Sequence, residues 1–71
     1  MANNKEYAKY VYEMIKADCD GMDSIYGDYI YTLVGICGLE ILLEYGLLET
    51  CGVVYGRQLY SLVDWELRKE K

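Results

Sequence analysis

The sequence predicts an α+β fold in which three short helices are followed by a C-terminal β-hairpin. Three observations predict it. Apolar residues recur at helical spacing near the N-terminus, glycines interrupt a long apolar stretch in the middle, and glycines stand among β-formers near the C-terminus. The alternative is an all-α helical bundle. Seventy-one residues are enough for one domain, so residues 1–71 are taken as a single domain.

The first helix is expected to begin at Asn3 or Asn4 and to end at about Ala17. Asparagine is a favoured N-cap, because its side-chain oxygen accepts a hydrogen bond from a free N–H of the first turn. One broad apolar stripe follows at helical spacing: Tyr7, Tyr10, Val11, Met14 and Ile15. Residues 18–23 then break the pattern, because Asp and Gly cluster there as turn residues do.

The middle of the chain, residues 25–45, is apolar on nearly every side, as a buried element is. Gly27, Gly35 and Gly38 interrupt it, and each glycine inside a helix costs up to ~1 kcal/mol. One interpretation is a single long helix whose glycines admit a close neighbour. The other is two short helices separated by a turn at residues 35–38. We favour the second, with the later helix over residues 39–45 and Gly46 as a left-handed cap.

The hairpin is expected over residues 47–63, with a tight primed turn at Tyr55 and Gly56. A helix is the competing possibility, since apolar side chains here also recur at helical spacing. Gly52 and the β-branched pair Val53 and Val54 weaken such a helix, so the hairpin is favoured. The charged residues 64–71 are expected to fray or to form a short helical end.

Helices followed at once by a hairpin resemble the element order of winged-helix domains, over about residues 25–63. In that family the helix before the hairpin enters the DNA major groove, so the resemblance implies a DNA-binding regulator. The corresponding segment here carries Glu40 and Glu44 and no Arg, Lys, Asn or Gln, and the hairpin offers only Arg57 and Gln58. With twelve acidic against seven basic side chains, the net charge of −5 also works against phosphate binding.

The residue types argue against an enzyme, a cofactor and a metal site. The chain has no histidine, which removes Ser-His and Cys-His catalysis and the standard zinc sites, and no Gly-rich phosphate loop is present. Asp18, Asp20 and Asp23 resemble part of a calcium loop. Tyr29 stands where the closing bidentate Glu would be after Asp18, so no calcium site is expected.

Cysteine usage and hydropathy predict a cytoplasmic protein without a membrane span. The chain has an odd number of cysteines without CxxC spacing: Cys19, Cys37 and Cys51. This pattern indicates free thiols in a reducing compartment. The N-terminal residues contain no apolar signal core. The apolar window of residues 29–48 includes Glu40 and Glu44, whose cost in lipid argues against a span.

An acidic, tyrosine-rich surface is the positive signal. The chain has nine Tyr and no Phe. Tyrosine suits binding surfaces, because its ring can be buried while its hydroxyl stays hydrated. Carboxylates attract a basic partner over long range, while tyrosines supply contact area. The predicted partner-binding residues are Asp18, Asp20, Asp23, Tyr26, Asp28, Tyr29, Glu40 and Glu44.

These features predict a non-catalytic protein-binding module, an acidic inhibitor that occupies the basic surface of a nucleic-acid-handling enzyme. In size and charge the chain is similar to the small anti-CRISPR-type inhibitors that phages and mobile elements carry. The first alternative is the winged-helix regulator, and the second is a structural homo-oligomerising subunit. The high apolar content predicts a dimer, with Tyr7, Val11, Ile30 or Leu59 as contacts.

Overall fold

The computed structural model describes residues 3–69. In chain order the elements are helix α1 (Asn4–Asp18), strand β1 (Ile25–Tyr26), helix α2 (Gly27–Glu44), strand β2 (Leu48–Val54), strand β3 (Arg57–Leu62) and a 3-10 turn (Trp65–Leu67). The three strands form one antiparallel sheet in the order β1-β3-β2. Strand β1 pairs Ile25 with Tyr60, and so fastens the start of α2 to the hairpin.

The predicted architecture of three short helices followed by a hairpin is wrong, and so is the alternative all-α bundle. Within residues 3–69 there are two helices, and the hairpin belongs to a three-stranded sheet. The break expected at residues 35–38 is confined to Gly35, whose φ of 76° and ψ of 178° are essentially restricted to glycine. A single residue leaves the helical conformation, so α2 bends there and Gly38 lies inside it.

Helix α1 begins as its capping residue predicts. The Asn3 side-chain oxygen accepts a hydrogen bond of 2.8 Å from the backbone N–H of Glu6, which satisfies one of the free donors of the first turn. The buried side chains Ala8, Val11 and Ile15 recur at helical spacing along one face. They pack this face of the helix into the core.

Helix α2 ends in the left-handed glycine cap expected at Gly46, which has a φ of 67°. The Gly46 N–H donates to the Leu43 carbonyl at 3.1 Å, and the Leu47 N–H donates to the Leu42 carbonyl at 2.8 Å. This pair of bonds is a Schellman motif, and Leu42 and Leu47, at the positions of its usual apolar contact, are both fully buried in the core. The motif turns the chain directly from α2 into β2.

The turn between β2 and β3 has positive φ at both central residues, 53° at Tyr55 and 73° at Gly56. Positive φ at both positions defines a type I′ turn, whose twist matches that of the strands. The predicted primed turn is therefore confirmed. The register shifts between Thr50 and Gly52, which leaves Cys51 as the extra residue of a bulge.

The core lies between the two helices and the part of the sheet that contains Ile25 and Leu48. Val11 and Ile30, expected at a dimer contact, are 2% and 0% exposed, so they are core residues of the single chain and that expectation is wrong for both. The Tyr12 hydroxyl accepts a 3.1 Å hydrogen bond from the Trp65 N–H, which satisfies a polar group at the core edge. Of the described helices, neither is long and apolar enough to cross a membrane.

Candidate functional site

Charge is unevenly distributed along the chain. From residue 17 to residue 56 there is no Lys or Arg, and this segment includes all of α2 and β2. The carboxylates in this segment are all exposed: Asp18, Asp20, Asp23, Asp28, Glu40, Glu44 and Glu49. Any partner that contacts this part of the chain therefore meets acidic side chains.

Several cations lie instead around an aromatic pair formed by Tyr12 and Trp65, whose ring centroids are 5.7 Å apart. Lys9 and Arg68 lie over the Trp65 ring, with cation-to-centroid distances of 5.6 and 4.2 Å. Lys16 lies over the Tyr12 ring at 5.8 Å. The Tyr12–Trp65 and Lys9–Trp65 contacts join α1 to the C-terminal segment, and cation–π attraction holds the cations around the pair.

A pocket of about 450 Å³ opens where β1, the first turns of α2 and β3 meet. This volume lies in the range of ligand-binding clefts. Its lining side chains are mostly apolar or aromatic: Met22, Ser24, Ile25, Tyr26, Tyr29, Arg57 and Leu59. The sheet pairing of Tyr26 with Leu59 brings the two halves of this lining together.

Arg57 is held on one side of the pocket by two contacts. Its Nε donates to Asp28 Oδ2 at 3.0 Å, and its guanidinium lies 4.1 Å from the centroid of the Tyr26 ring. The Arg57 and Asp28 side chains are 48% and 73% exposed, so the ion pair adds little stability. Its effect is to position the guanidinium and to neutralise it.

Tyr29 is held on another side by Asp18. The Tyr29 hydroxyl donates a hydrogen bond of 2.5 Å to Asp18 Oδ2. This hydrogen bond, followed by the negative charge of Asp18, raises the pKa of Tyr29 above its ordinary value. The tyrosine ring is thus fixed across the junction between the end of α1 and the start of α2.

Six of the eight predicted partner-binding residues lie in one stretch beside this pocket. Tyr26 and Tyr29 line the pocket, and Asp18 and Asp28 bond to the lining residues Tyr29 and Arg57. The last two of these six residues, Asp20 and Asp23, are exposed in the loop before β1.

Glu40 and Glu44 are separate from the pocket, because they follow the bend of α2. They share an exposed helix face with Ile36, Cys37 and Leu43. None of these five exposed side chains is basic. Gln58, a possible hairpin contact, donates its amide to the Gly52 and Leu59 carbonyls at 2.9 Å.

Arg57 and the apolar lining were not predicted as site residues. Arg57 lies 29 positions from Asp28, and a two-residue strand has no periodicity that would have indicated the pairing of β1 with β3. The sequence offered one signal for this contact. The carboxylates near Asp28 repel one another unless a cation approaches them, and Arg57 is the first cation after Lys16.

The described residues contain no group of three His, Cys, Asp or Glu side chains placed to hold a metal ion. Cys19 is buried, and burial, together with the Asp18 charge, raises the pKa of its thiol. Cys37 and Cys51 are exposed. In comparisons with known proteins, no family model, no curated protein and no solved structure matches this chain.

Proposed function

We propose that this chain is a non-catalytic protein-binding module that uses its acidic, tyrosine-rich surface to engage a basic protein. The absence of Lys and Arg from residues 17–56, combined with the exposure of every carboxylate there, is the observation that carries the proposal. Such a surface attracts a basic partner over long range and repels nucleic acid. Tyr29 and Tyr31, both exposed, add contact area beside the carboxylates.

The proposed role is inhibition of a nucleic-acid-handling enzyme, in the manner of small acidic anti-CRISPR-type proteins. Enzymes of that class carry basic channels that neutralise phosphates. An acidic chain that fills such a channel excludes the nucleic acid by competition. The free thiols Cys37 and Cys51 suit the reducing cytoplasm, which is the proposed location.

Direct DNA binding is the competing function, and the arrangement of side chains disfavours it. A winged-helix regulator needs phosphate contacts from the helix before the hairpin and from the hairpin itself. That part of α2 exposes Glu40 and Glu44, Arg57 is paired with Asp28, and Gln58 bonds to the backbone. A purely structural oligomer is the other alternative, and exposed apolar side chains such as Tyr10 and Ile36 are what it would use.

The test compares the wild-type chain with the double reversal Asp20→Lys, Asp23→Lys. Both residues are exposed and form no ion pair within residues 3–69, so we expect the reversal to leave the fold intact. Asp28 is left unchanged, because a lysine there would face Arg57. The double variant Glu40→Lys, Glu44→Lys is the matched control with the same charge change on a different surface.

The probes are purified nucleic-acid enzymes with basic channels, assayed for binding and for activity at several salt concentrations. We expect wild-type chain to inhibit at least one such enzyme, excess duplex DNA to relieve inhibition, and rising salt to weaken binding. The Asp20, Asp23 reversal should weaken inhibition more than the Glu40, Glu44 reversal. A gel shift of duplex DNA by the chain alone at ~10 µM would overturn the proposal in favour of the regulator.

A further inference from the structure

The pocket beside β1 has the chemistry of a receptor for an arginine side chain. Met22, Ile25 and Leu59 supply apolar surface, and the rings of Tyr26 and Tyr29 supply π faces. An arginine needs both, because its stem is apolar and its planar head stacks on aromatic rings. A purely apolar occupant would leave the negative charge of Asp18, which accepts a hydrogen bond from the neutral Tyr29 hydroxyl, without a cation.

The chain itself demonstrates half of this recognition. Tyr26 and Asp28 together bind Arg57, with the guanidinium 4.1 Å from the ring centroid and Nε 3.0 Å from the carboxylate. Once the pairing of β1 with β3 brings Arg57 close, one tyrosine and one aspartate hold its guanidinium at the surface.

Tyr29, which lines the pocket, forms a second tyrosine–aspartate pair with Asp18, which lies beside the lining. They are joined by a hydrogen bond, and Tyr29 remains 43% exposed. No cation of residues 3–69 pairs with Asp18 or lies over the Tyr29 ring. Of the two lining tyrosines with an aspartate neighbour, one pair therefore holds an arginine of residues 3–69 and the other does not.

We propose that the pocket receives an arginine side chain of the partner, with its stem against Met22 and Leu59 and its guanidinium at Tyr29 and Asp18. This inference rests on the proposed function, since it names the group by which the basic partner is held. Arginine is specified over lysine because a guanidinium can stack on Tyr29 and bond to the carboxylate at the same time. The exposed Asp23, next to the lining residue Ser24, adds negative charge on that side.

The experiment is a titration of the isotopically labelled full chain with the capped tripeptide Gly-Arg-Gly, followed by NMR. Matched peptides carry citrulline, which keeps the shape and loses the charge, or lysine, which keeps the charge and loses the planar head. We expect saturable shifts at residues 22–29, 57 and 59 with the arginine peptide. Affinity should fall about tenfold or more for citrulline and less for lysine.

Two exposed-site variants test the geometry without disturbing the core. Tyr29→Leu removes the ring and Asp18→Asn removes the charge, and each should weaken arginine-peptide binding about fivefold or more. Glu49→Gln is the charge-matched control on β2 and should bind as wild type does. Equal affinity for arginine and citrulline peptides, or shifts centred on Glu40 and Glu44, would overturn the arginine assignment.

The two proposals fail in different ways. If the arginine peptide does not bind while an enzyme is still inhibited through Asp20 and Asp23, the arginine pocket is wrong and the protein-binding function stands. If the peptide binds in the pocket but no nucleic-acid enzyme is inhibited, the pocket is right as a receptor and the inhibitor function is wrong.

Discussion

The Tyr29 hydroxyl donates a hydrogen bond of 2.5 Å to the carboxylate of Asp18 and so links the start of α2 to the end of α1. Both residues are exposed, and they are separated by eleven positions in the chain. The bond fixes a tyrosine ring that lines the pocket, although neither residue belongs to the core. The position of this ring therefore depends on the phenol remaining protonated.

The first prediction concerns the titration of Tyr29. Asp18 raises the pKa of Tyr29 above its ordinary value of about 10, first through the hydrogen bond and then through its charge. A raised folded-state pKa contributes stability below the unfolded-state pKa, and this stability is lost as pH rises through the folded-state value. Asp18→Asn should lower the Tyr29 pKa, measured by NMR of its ring carbons. Asp23→Asn is the control, and an unchanged Tyr29 pKa in Asp18→Asn would contradict the assignment.

The second prediction concerns the hairpin turn. Tyr55 has a φ of 53° and a side chain 93% exposed, so it bears left-handed strain and contributes almost no packing. Tyr55→Asn should raise the free energy of unfolding by about 0.5–1 kcal/mol, because Asn-Gly is preferred in type I′ turns. Gly56→Val should lower it by more than about 1 kcal/mol, since φ is 73° there. Urea denaturation measures both, and a destabilised Tyr55→Asn would show that the turn is not strained.

The third prediction concerns the bend of α2. A Cβ added at Gly35 would meet nothing within 4 Å, so any effect of Gly35→Ala reports backbone conformation alone. At a φ of 76° and a ψ of 178° the substitution should cost about 1–3 kcal/mol. In a straight helix the same change would instead stabilise by about 0.5–1 kcal/mol. The sign of the change in urea denaturation therefore decides whether the helix bends at this residue.

Features that depend on neighbouring residues could be predicted from the sequence. The Asn3 cap, the Gly46 cap and the turn at Tyr55 and Gly56 each follow from side chains within a few positions. The clustering of six predicted partner-binding residues was predictable for the same reason, since all of them lie within residues 18–29: Asp18, Asp20, Asp23, Tyr26, Asp28 and Tyr29.

Features that depend on distant pairing could not be predicted. Strand β1 exists because Ile25 and Tyr26 find partners in β3, and Arg57 reaches Asp28 only through that pairing. The helix count was wrong because composition does not reveal how many residues a glycine-rich stretch needs in order to bend. Gly35 achieves the bend alone, so Gly38 remains helical, where a Cβ would lie 2.6 Å from that of Val34.

The last prediction concerns self-association, which we expect to use α1 rather than the open edge of the sheet. Strand β2 is the longer of the two edge strands, but the bulge at Cys51 and Gly52, where φ is 111°, twists it and makes it a poorer pairing site. Helix α1 instead exposes an apolar stripe beside its buried face, made of Tyr7, Tyr10 and Met14, which are 37%, 63% and 39% exposed.

Light scattering should therefore give a dimer at ~100 µM, with a thermal midpoint that rises with protein concentration. Tyr10→Lys combined with Met14→Lys should give a monomer whose thermal midpoint does not depend on concentration. Tyr55→Lys is the control, because it changes an exposed tyrosine at the hairpin tip without touching α1. A wild-type chain that is monomeric at ~100 µM would reject the dimer. A dimer that persists in the α1 double variant and dissociates in Tyr55→Lys would place the contact on the hairpin.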